Sequence, residues 1–334
     1  MSRLSVALLG AGFIGQVHAQ NLANHPGVAF KAVYDVDPAR SAATAAKFGA
    51  APIREVEEIW ADDGIDAVLI ASATNTHADL LTQAASAGKA VFCEKPIDLD
   101  YQTAAKAVDA AAQAGIPVMI DFCRRFDDSY AAIHRAIQSG EVGQIETAQF
   151  IARGPALPPL EYLAVSGGQQ RDQNVHYFDL LRWLTGVEPV EVFAYGSALA
   201  DPRVAEIGDV DTSVTVLKLE NGALATIEAV RRSAYGYDER IELTGSKQMI
   251  EAARQRDGWV NHYGVGSVRS NGLDTEWLPR LIRTFPRALD EFVTAVSEGR
   301  PPSATPADGL RAQRIADAAT QSLATGSPVA IPAD

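Results

Sequence analysis

Cysteine is nearly absent: Cys93 and Cys123 are the two in 334 residues. That is too few for a disulfide framework or a cysteine-based zinc site. Basic residues are also scarce, 29 against 42 acidic ones, for a formal net charge of −13. With no run of lysine or arginine, neither nucleic acid nor an anionic membrane surface is an expected partner. Nor is there an apolar stretch near the roughly 20 residues that cross a bilayer. Leu4–Ile14 is mostly apolar behind Arg3, but glycines break it and no small-residue cleavage pattern follows. It does not read as a signal peptide. What is plentiful is hydrophobic residues, 47% of the chain, enough to bury a core in about two domains. A soluble, cytoplasmic protein is expected.

Short apolar runs alternate with helical patterns through the first third of the chain. Leu4–Leu9, Val28–Tyr34, Ala67–Ala71, Ala90–Cys93 and Pro117–Phe122 read as strands, with helices between them. Alternation at this spacing predicts a parallel sheet of right-handed βαβ units, a Rossmann-type α/β domain over residues 1–123. After Arg124 the pattern changes to longer β segments: Gln144–Arg153, Val190–Ala198, Val210–Leu219, Ala223–Arg232 and Glu239–Thr244. Asn221-Gly222 predicts a two-residue type I′ hairpin turn. Residues 124–334 are therefore expected to form an α+β domain with a mostly antiparallel open sheet, closed by helices near Phe285–Glu298 and Pro306–Ala324.

Between the first strand and the first helix lies Gly10-Ala11-Gly12-Phe13-Ile14-Gly15. With 26 glycines in the chain, such a spacing alone means little; its position between strand and helix is the informative part. Gly10 permits a tight turn, Gly12 a close approach of backbone to a pyrophosphate, and Gly15 close helix–strand packing. Asp35 ends the second strand, where an acid accepts hydrogen bonds from adenosine ribose hydroxyls and repels a 2′-phosphate. Four residues separate it from Arg40, so NAD is expected rather than NADP. Gly10, Gly12, Phe13, Ile14, Gly15, Asp35 and Arg40 form the candidate cofactor set. For the loop alone, a flavodoxin-like turn without a dinucleotide is the alternative.

Two groups could carry chemistry. Glu94-Lys95-Pro96 follows a strand directly, and ligands of open α/β sheets sit at the carboxyl ends of strands. Alone, it also describes a turn with a solvated ion pair. Asp172 and His176 stand four residues apart on a predicted helix and share a face. A carboxylate there orients an imidazole and stabilises its protonated form, as a general base requires. An exposed helix pair or a packed histidine fits the same spacing, and Asp179, one turn on, could equally cap or pair structurally.

Together these pieces resemble the glucose-fructose oxidoreductase/inositol dehydrogenase (Gfo/Idh/MocA) family, and within it the bacterial inositol 2-dehydrogenases. Phe92–Leu99, Arg124-Arg125-Phe126-Asp127, Ser166-Gly167-Gly168 and Tyr235–Arg240 carry the resemblance, which runs to about Met249. It implies NAD-dependent oxidation of a ring hydroxyl of a cyclic polyol to the ketone. In that case Lys95 hydrogen-bonds the reacting hydroxyl, His176 takes its proton, and Asp172 supports the histidine. Thr74, Asn75 and His77 would border the nicotinamide half, Glu94 and Lys95 would also contact the cofactor, and Arg124 and Tyr235 would touch the polyol. No metal is expected, because Cys93-Glu94 with Cys123 does not make a clustered ligand set. The resemblance also implies that the open sheet joins the subunits of a homotetramer.

Three positions depart from the family pattern. Gly154 stands where inositol dehydrogenases usually carry Asp or Asn, and Cys123 where relatives carry Asn or Met. Arg280-Leu281 takes the place of an Arg-Tyr pair. These changes spare the chemistry and alter the pocket wall, so Cys123 and Gly154 join the candidate substrate set, and a pyranose sugar is the alternative substrate. A non-catalytic dinucleotide-binding regulator is the remaining reading; it needs neither Lys95 nor His176, and the chain keeps both.

Overall fold

The apolar run Leu4–Leu9 becomes strand β1 at the centre of a parallel sheet in the computed structural model, which describes residues 3–333. Among these residues one unit runs to Phe126 and takes in Arg283–Arg311; the other is Asp127–Ile282 with the residues from Ala312 onward. The first division falls three residues beyond the expected one, and the chain's return over Arg283–Arg311 has no local signal in the sequence.

In the first unit β1 is joined by β2 (Val28–Tyr34), β3 (Ala51–Ile53), β4 (Ala67–Ile70), β5 (Ala90–Cys93) and β6 (Val118–Ile120). Their order is 3-2-1-4-5-6 with every pairing parallel, the Rossmann arrangement. β4 and β5 are buried throughout, as strands covered on both faces must be. Sequence periodicity missed β3: three residues long, containing Pro52 and largely exposed, it has the character of an edge strand. Asp37 caps helix Pro38–Phe48 by accepting from the Ala39 and Arg40 amides, and Gly49 ends it in the left-handed conformation. Helix Thr284–Glu298, from the returning segment, packs Phe292 flat on Phe92 with ring centres 5.5 Å apart. Both rings are fully buried.

The second unit is built on β7 (Ile145–Arg153), β8 (Pro189–Ser197), β9 (Thr212–Leu219), β10 (Leu224–Val230), β11 (Asp238–Gly245), β12 (Met249–Ala252) and, after a separate hairpin, β15 (Val329–Ala330). The hairpin is β13 (Asn261–Gly264) with β14 (Ser267–Ser270). The seven-stranded order is 12-11-7-10-9-8-15, antiparallel except where β10 runs parallel to β7. Strict alternation of buried and exposed residues along β9 shows one covered and one open face. Tyr130 and Ile133 of helix Asp128–Gln138, Phe178 and Leu181 of Val175–Thr185, and Ile315 and Ala319 of Pro306–Thr325 line the covered side. Tyr195, Val214, Val216 and Leu224 stand exposed.

Two local expectations are corrected. The turn joining β9 to β10 holds three residues: the Gly222 amide donates to the Leu219 carbonyl, and Leu219 pairs with Ala223. Gly222 has a φ of +87°, whereas Asn221 keeps a negative φ, so the turn is not type I′. The Asn221 side chain instead accepts from the Ala223 amide. Likewise the helix expected from Asp172 begins with a π-helical turn, Gln170–Asn174, and becomes α-helical only over Val175–Thr185.

Candidate active-site residues on the two units

Five segments of the first unit end at the carboxyl edge of its sheet. The glycine loop follows β1, Asp35 follows β2, the 3₁₀ turn Thr74–Thr76 follows β4, Glu94-Lys95-Pro96 follows β5, and the 3₁₀ turn Cys123–Phe126 follows β6. This is the edge at which open α/β sheets bind ligands.

Gly10 has a φ of +98°, and a Cβ there would lie 2.5 Å from the Ser72 backbone. A Cβ on Gly15 would strike the Gly10 carbonyl at 2.2 Å. Gly12 is different: nothing stands within 4 Å of its would-be Cβ, and helix Phe13–Asn24 starts there with no side-chain cap. Open space in front of uncapped amides is what an approaching pyrophosphate requires, so these residues fit a dinucleotide. The Asp35 carboxylate is buried and accepts from the amides of Ala11 at 2.7 Å and Asp37 at 2.9 Å. It therefore holds the glycine loop. Half-exposed Arg40 lies 3.6 Å from it.

Thr74 is half-buried and Asn75 exposed, whereas His77 is buried. The His77 ring lies between the Pro96 carbonyl at 2.9 Å and the Ser72 carbonyl at 3.1 Å, tying the Lys95 turn to the segment after β4. Lys95 is half-buried and Arg124 buried. Arg125 points elsewhere, donating to the Ser303 carbonyl at 2.7 Å.

Sequence reasoning missed a cluster beneath Glu94. His18 Nε2 lies 2.9 Å from Glu94 Oε1 and 3.6 Å from Asp121 Oδ2. Asp121 follows β6, and its amide donates to the Cys93 carbonyl at 2.8 Å. Burial and the charge of Glu94 push the Asp121 carboxyl well above the usual range. Burial also opposes ionisation of Glu94, but the His18 hydrogen bond and the nearby Lys95 charge hold it below its ordinary value. The one sequence signal was a histidine three residues past the last glycine of the loop. Cys93 and Cys123 are free and buried, and burial beside these acids pushes both thiols up, away from reactivity.

In the second unit the candidates gather at the carboxyl ends of β7 and β10, its one parallel pair, where Arg153 stands opposite Val230. Gly154 follows β7 and exchanges backbone hydrogen bonds with Val230 and Ser233, both at 2.7 Å. Arg231 follows β10, and its Nη1 donates to Asp172 Oδ2 at 2.8 Å. Tyr162 Oη donates to Asp172 Oδ1, also at 2.8 Å. Neither Arg231 nor Tyr162 was legible as a site residue, since Arg231 is 59 positions from Asp172 and Tyr162 lies in the separate short helix Leu160–Leu163. His176 is half-buried in the first turn of helix Val175–Thr185, and Asp179 is fully buried. The Tyr235 hydroxyl accepts from Arg153 Nη1 at 2.6 Å and donates to Asp238 Oδ2 at 2.8 Å. Asp238 is fully buried; burial opposes its charge, but Arg254, Tyr235 and Arg240 outweigh burial and keep its carboxyl below the ordinary value. Arg280 holds Asp127 at 2.5 Å beneath the cap of helix Asp128–Gln138.

A Rossmann sheet with a glycine loop after β1, an acid after β2 and a lysine after β5, in a chain that also carries an α+β unit, defines a nicotinamide-dinucleotide-dependent oxidoreductase. Residues 4–122 match the oxidoreductase family with the NAD-binding Rossmann fold, and residues 130–251 match the GFO/IDH/MocA C-terminal domain. The chain belongs to the GFO/IDH/MocA family. It is 37% identical to an inositol 2-dehydrogenase of Rhizobium meliloti over 97% of this chain and 98% of the relative. A crystal structure of a myo-inositol dehydrogenase from Corynebacterium glutamicum superposes with a TM-score of 0.94 at 34% identity, covering 99% of this chain and 100% of that one. Another, scyllo-inositol dehydrogenase from Lactobacillus casei with bound NAD(H) and scyllo-inositol, has a TM-score of 0.92 at 26% identity, with 99% of each chain covered.

Proposed function

We propose that this protein is an NAD-dependent dehydrogenase that oxidises one ring hydroxyl of myo-inositol or a related inositol to the ketone. The observation that carries the reading is likeness to inositol dehydrogenases along nearly the whole chain, substrate unit included. Bound NAD supplies the hydride acceptor. Gly10, Gly12, Phe13, Ile14 and Gly15 hold its pyrophosphate, Asp35 and Arg40 its adenosine ribose, and Thr74, Asn75 and His77 its nicotinamide half. Lys95 donates a hydrogen bond to the reacting hydroxyl and stabilises developing alkoxide character. His176 accepts the hydroxyl proton as the general base. Asp172, itself fixed by Arg231 and Tyr162, stabilises the protonated imidazole. Arg124, Tyr235, Cys123 and Gly154 form the wall around the remaining hydroxyls.

The proposed assembly is a homotetramer joined through the open face of the second sheet, where Tyr195, Val214, Val216 and Leu224 are exposed. Its mass in solution by light scattering tests this. The proposed location is the cytoplasm, where the nicotinamide pool lies. The activity is tested by initial rates of NAD and NADP reduction in alkaline buffer with myo-, scyllo- and D-chiro-inositol, D-glucose and D-xylose. Preference for an inositol with NAD is expected. Preference for a pyranose would overturn the substrate, and no reduction with any of them would overturn the enzyme.

A further inference from the structure

An acid with both oxygens buried and no donor on either is the least expected feature of the first unit. Asp121 is 2% exposed, and among the described residues neither of its carboxyl oxygens has a hydrogen-bond partner. One ligand-type atom from each of His18, Glu94 and Asp121 lies within 4.8 Å of the other two. His18 Nε2 is already engaged by Glu94 at 2.9 Å, leaving Asp121 at 3.6 Å.

Two carboxylates this close in a buried space repel each other, and a carboxylate without a donor bears the desolvation cost in full. A single proton on the pair removes both penalties. Which acid carries it follows from the surroundings. Glu94 has the His18 hydrogen bond and adjoins Lys95, so its charged form is supported; Asp121 has no such hydrogen bond, with His18 Nε2 3.6 Å away. The other groups around the pair do not alter the assignment. Cys93 and Cys123 are uncharged thiols, and Phe285 of helix Thr284–Glu298 presents its edge to His18 at 5.6 Å. Arg124 and Lys95 lower the Asp121 carboxyl, but burial and Glu94 outweigh them.

We propose that Asp121 is a positioning residue that remains protonated at neutral pH and shares its proton with Glu94, fixing the turn that carries Lys95. The inference rests on the reading of Lys95 as the group that binds the reacting hydroxyl. Held from one side by His18 and from another by Asp121, the Glu94 carboxylate cannot swing toward Lys95 and neutralise it. Asp121→Asn keeps a neutral donor of the same shape, whereas Asp121→Ala leaves Glu94 with one partner fewer.

Infrared difference spectra between wild type and D121N, with isotope-labelled aspartate, test the protonation directly near neutral pH. The band of a protonated carboxyl is expected in the wild type and absent from D121N. Kinetically, D121N should stay within about threefold of wild type, while D121A loses kcat on the order of 10- to 100-fold with the KM for inositol little changed. Absence of the band, or D121N as impaired as D121A, overturns the proposal; so does a bound divalent cation that His18→Gln removes. If D121A does not fold, the infrared band and D121N still decide. A chain that oxidises no inositol sinks the proposed function, yet the band would still report on Asp121.

Discussion

Arg231 grips Asp172 from across the second unit: Nη1 and Oδ2 are 2.8 Å apart, and the arginine side chain is 3% exposed. The same guanidinium stands 3.5 Å from Asp209, whose other oxygen accepts from the Gln169 amide at 2.8 Å. Arg231 thereby links Asp172 to Asp209 and, through it, to the Gln169 amide at the start of the π-helical turn.

Removing one partner of a buried pair strands the other. Arg231→Met should lower unfolding stability by about 3 kcal/mol, read from urea denaturation, and should depress kcat because Asp172 loses its anchor. Tyr162→Phe removes one hydrogen bond from the same carboxylate and should cost about 1 kcal/mol or less. An R231M protein as stable as wild type would show that the pair is replaceable.

The glycines of the loop should separate cleanly by experiment. Gly10→Ala places a side chain at a φ of +98° and drives it into the Ser72 backbone; a loss of at least about 2 kcal/mol is expected. Gly12→Ala meets no protein atom within 4 Å. It should leave the thermal midpoint unchanged while NAD affinity, by titration calorimetry, falls about tenfold, a cost near 1.4 kcal/mol. Unaltered NAD binding by G12A would remove the pyrophosphate from this loop.

In the proposed NAD site Asp35 takes the adenosine ribose, and its charge would oppose a 2′-phosphate there. Asp35→Ser should shift the ratio of kcat/KM for NAD over NADP toward NADP on the order of 10- to 100-fold. Some stability should be lost as well, because the Ala11 amide loses its acceptor. An unchanged cofactor ratio would mean that specificity is set elsewhere.

Asp121 also makes a prediction about pH. Its carboxyl is raised in the folded protein, so above its unfolded value of about 3.9 the folded chain keeps a proton that the unfolded chain has released. Its contribution to stability is thus complete below that value and declines as pH rises toward the raised folded value. D121N cannot titrate. The urea midpoint of D121N relative to wild type should therefore rise steadily between about pH 4 and pH 8. A constant difference across that range would place the Asp121 carboxyl in its ordinary range.

Much of the fold was legible because its signals are local. The alternation of apolar runs and helices announced the Rossmann sheet, and Asp37 and Gly49 marked the ends of their helix through backbone chemistry that acts over a few residues. The glycine loop was readable for the same reason. Asn221-Gly222 misled because two turn geometries share that dipeptide, and the pairing of Leu219 with Ala223 selected the longer one.

What this sequence determined by itself is therefore the parallel sheet, the dinucleotide loop, the acid after β2 and the lysine after β5, each set by residues within one turn or strand. Tertiary structure alone decided which distant groups surround them. Arg231 reaches Asp172 across 59 positions, and His18 reaches Glu94 across 76. The return of Arg283–Arg311 to the first unit likewise depends on packing of the Phe292 ring against Phe92. Local propensity encodes backbone conformation, whereas the partner of a buried charge is settled only when packing excludes water and leaves each polar group the neighbours it has.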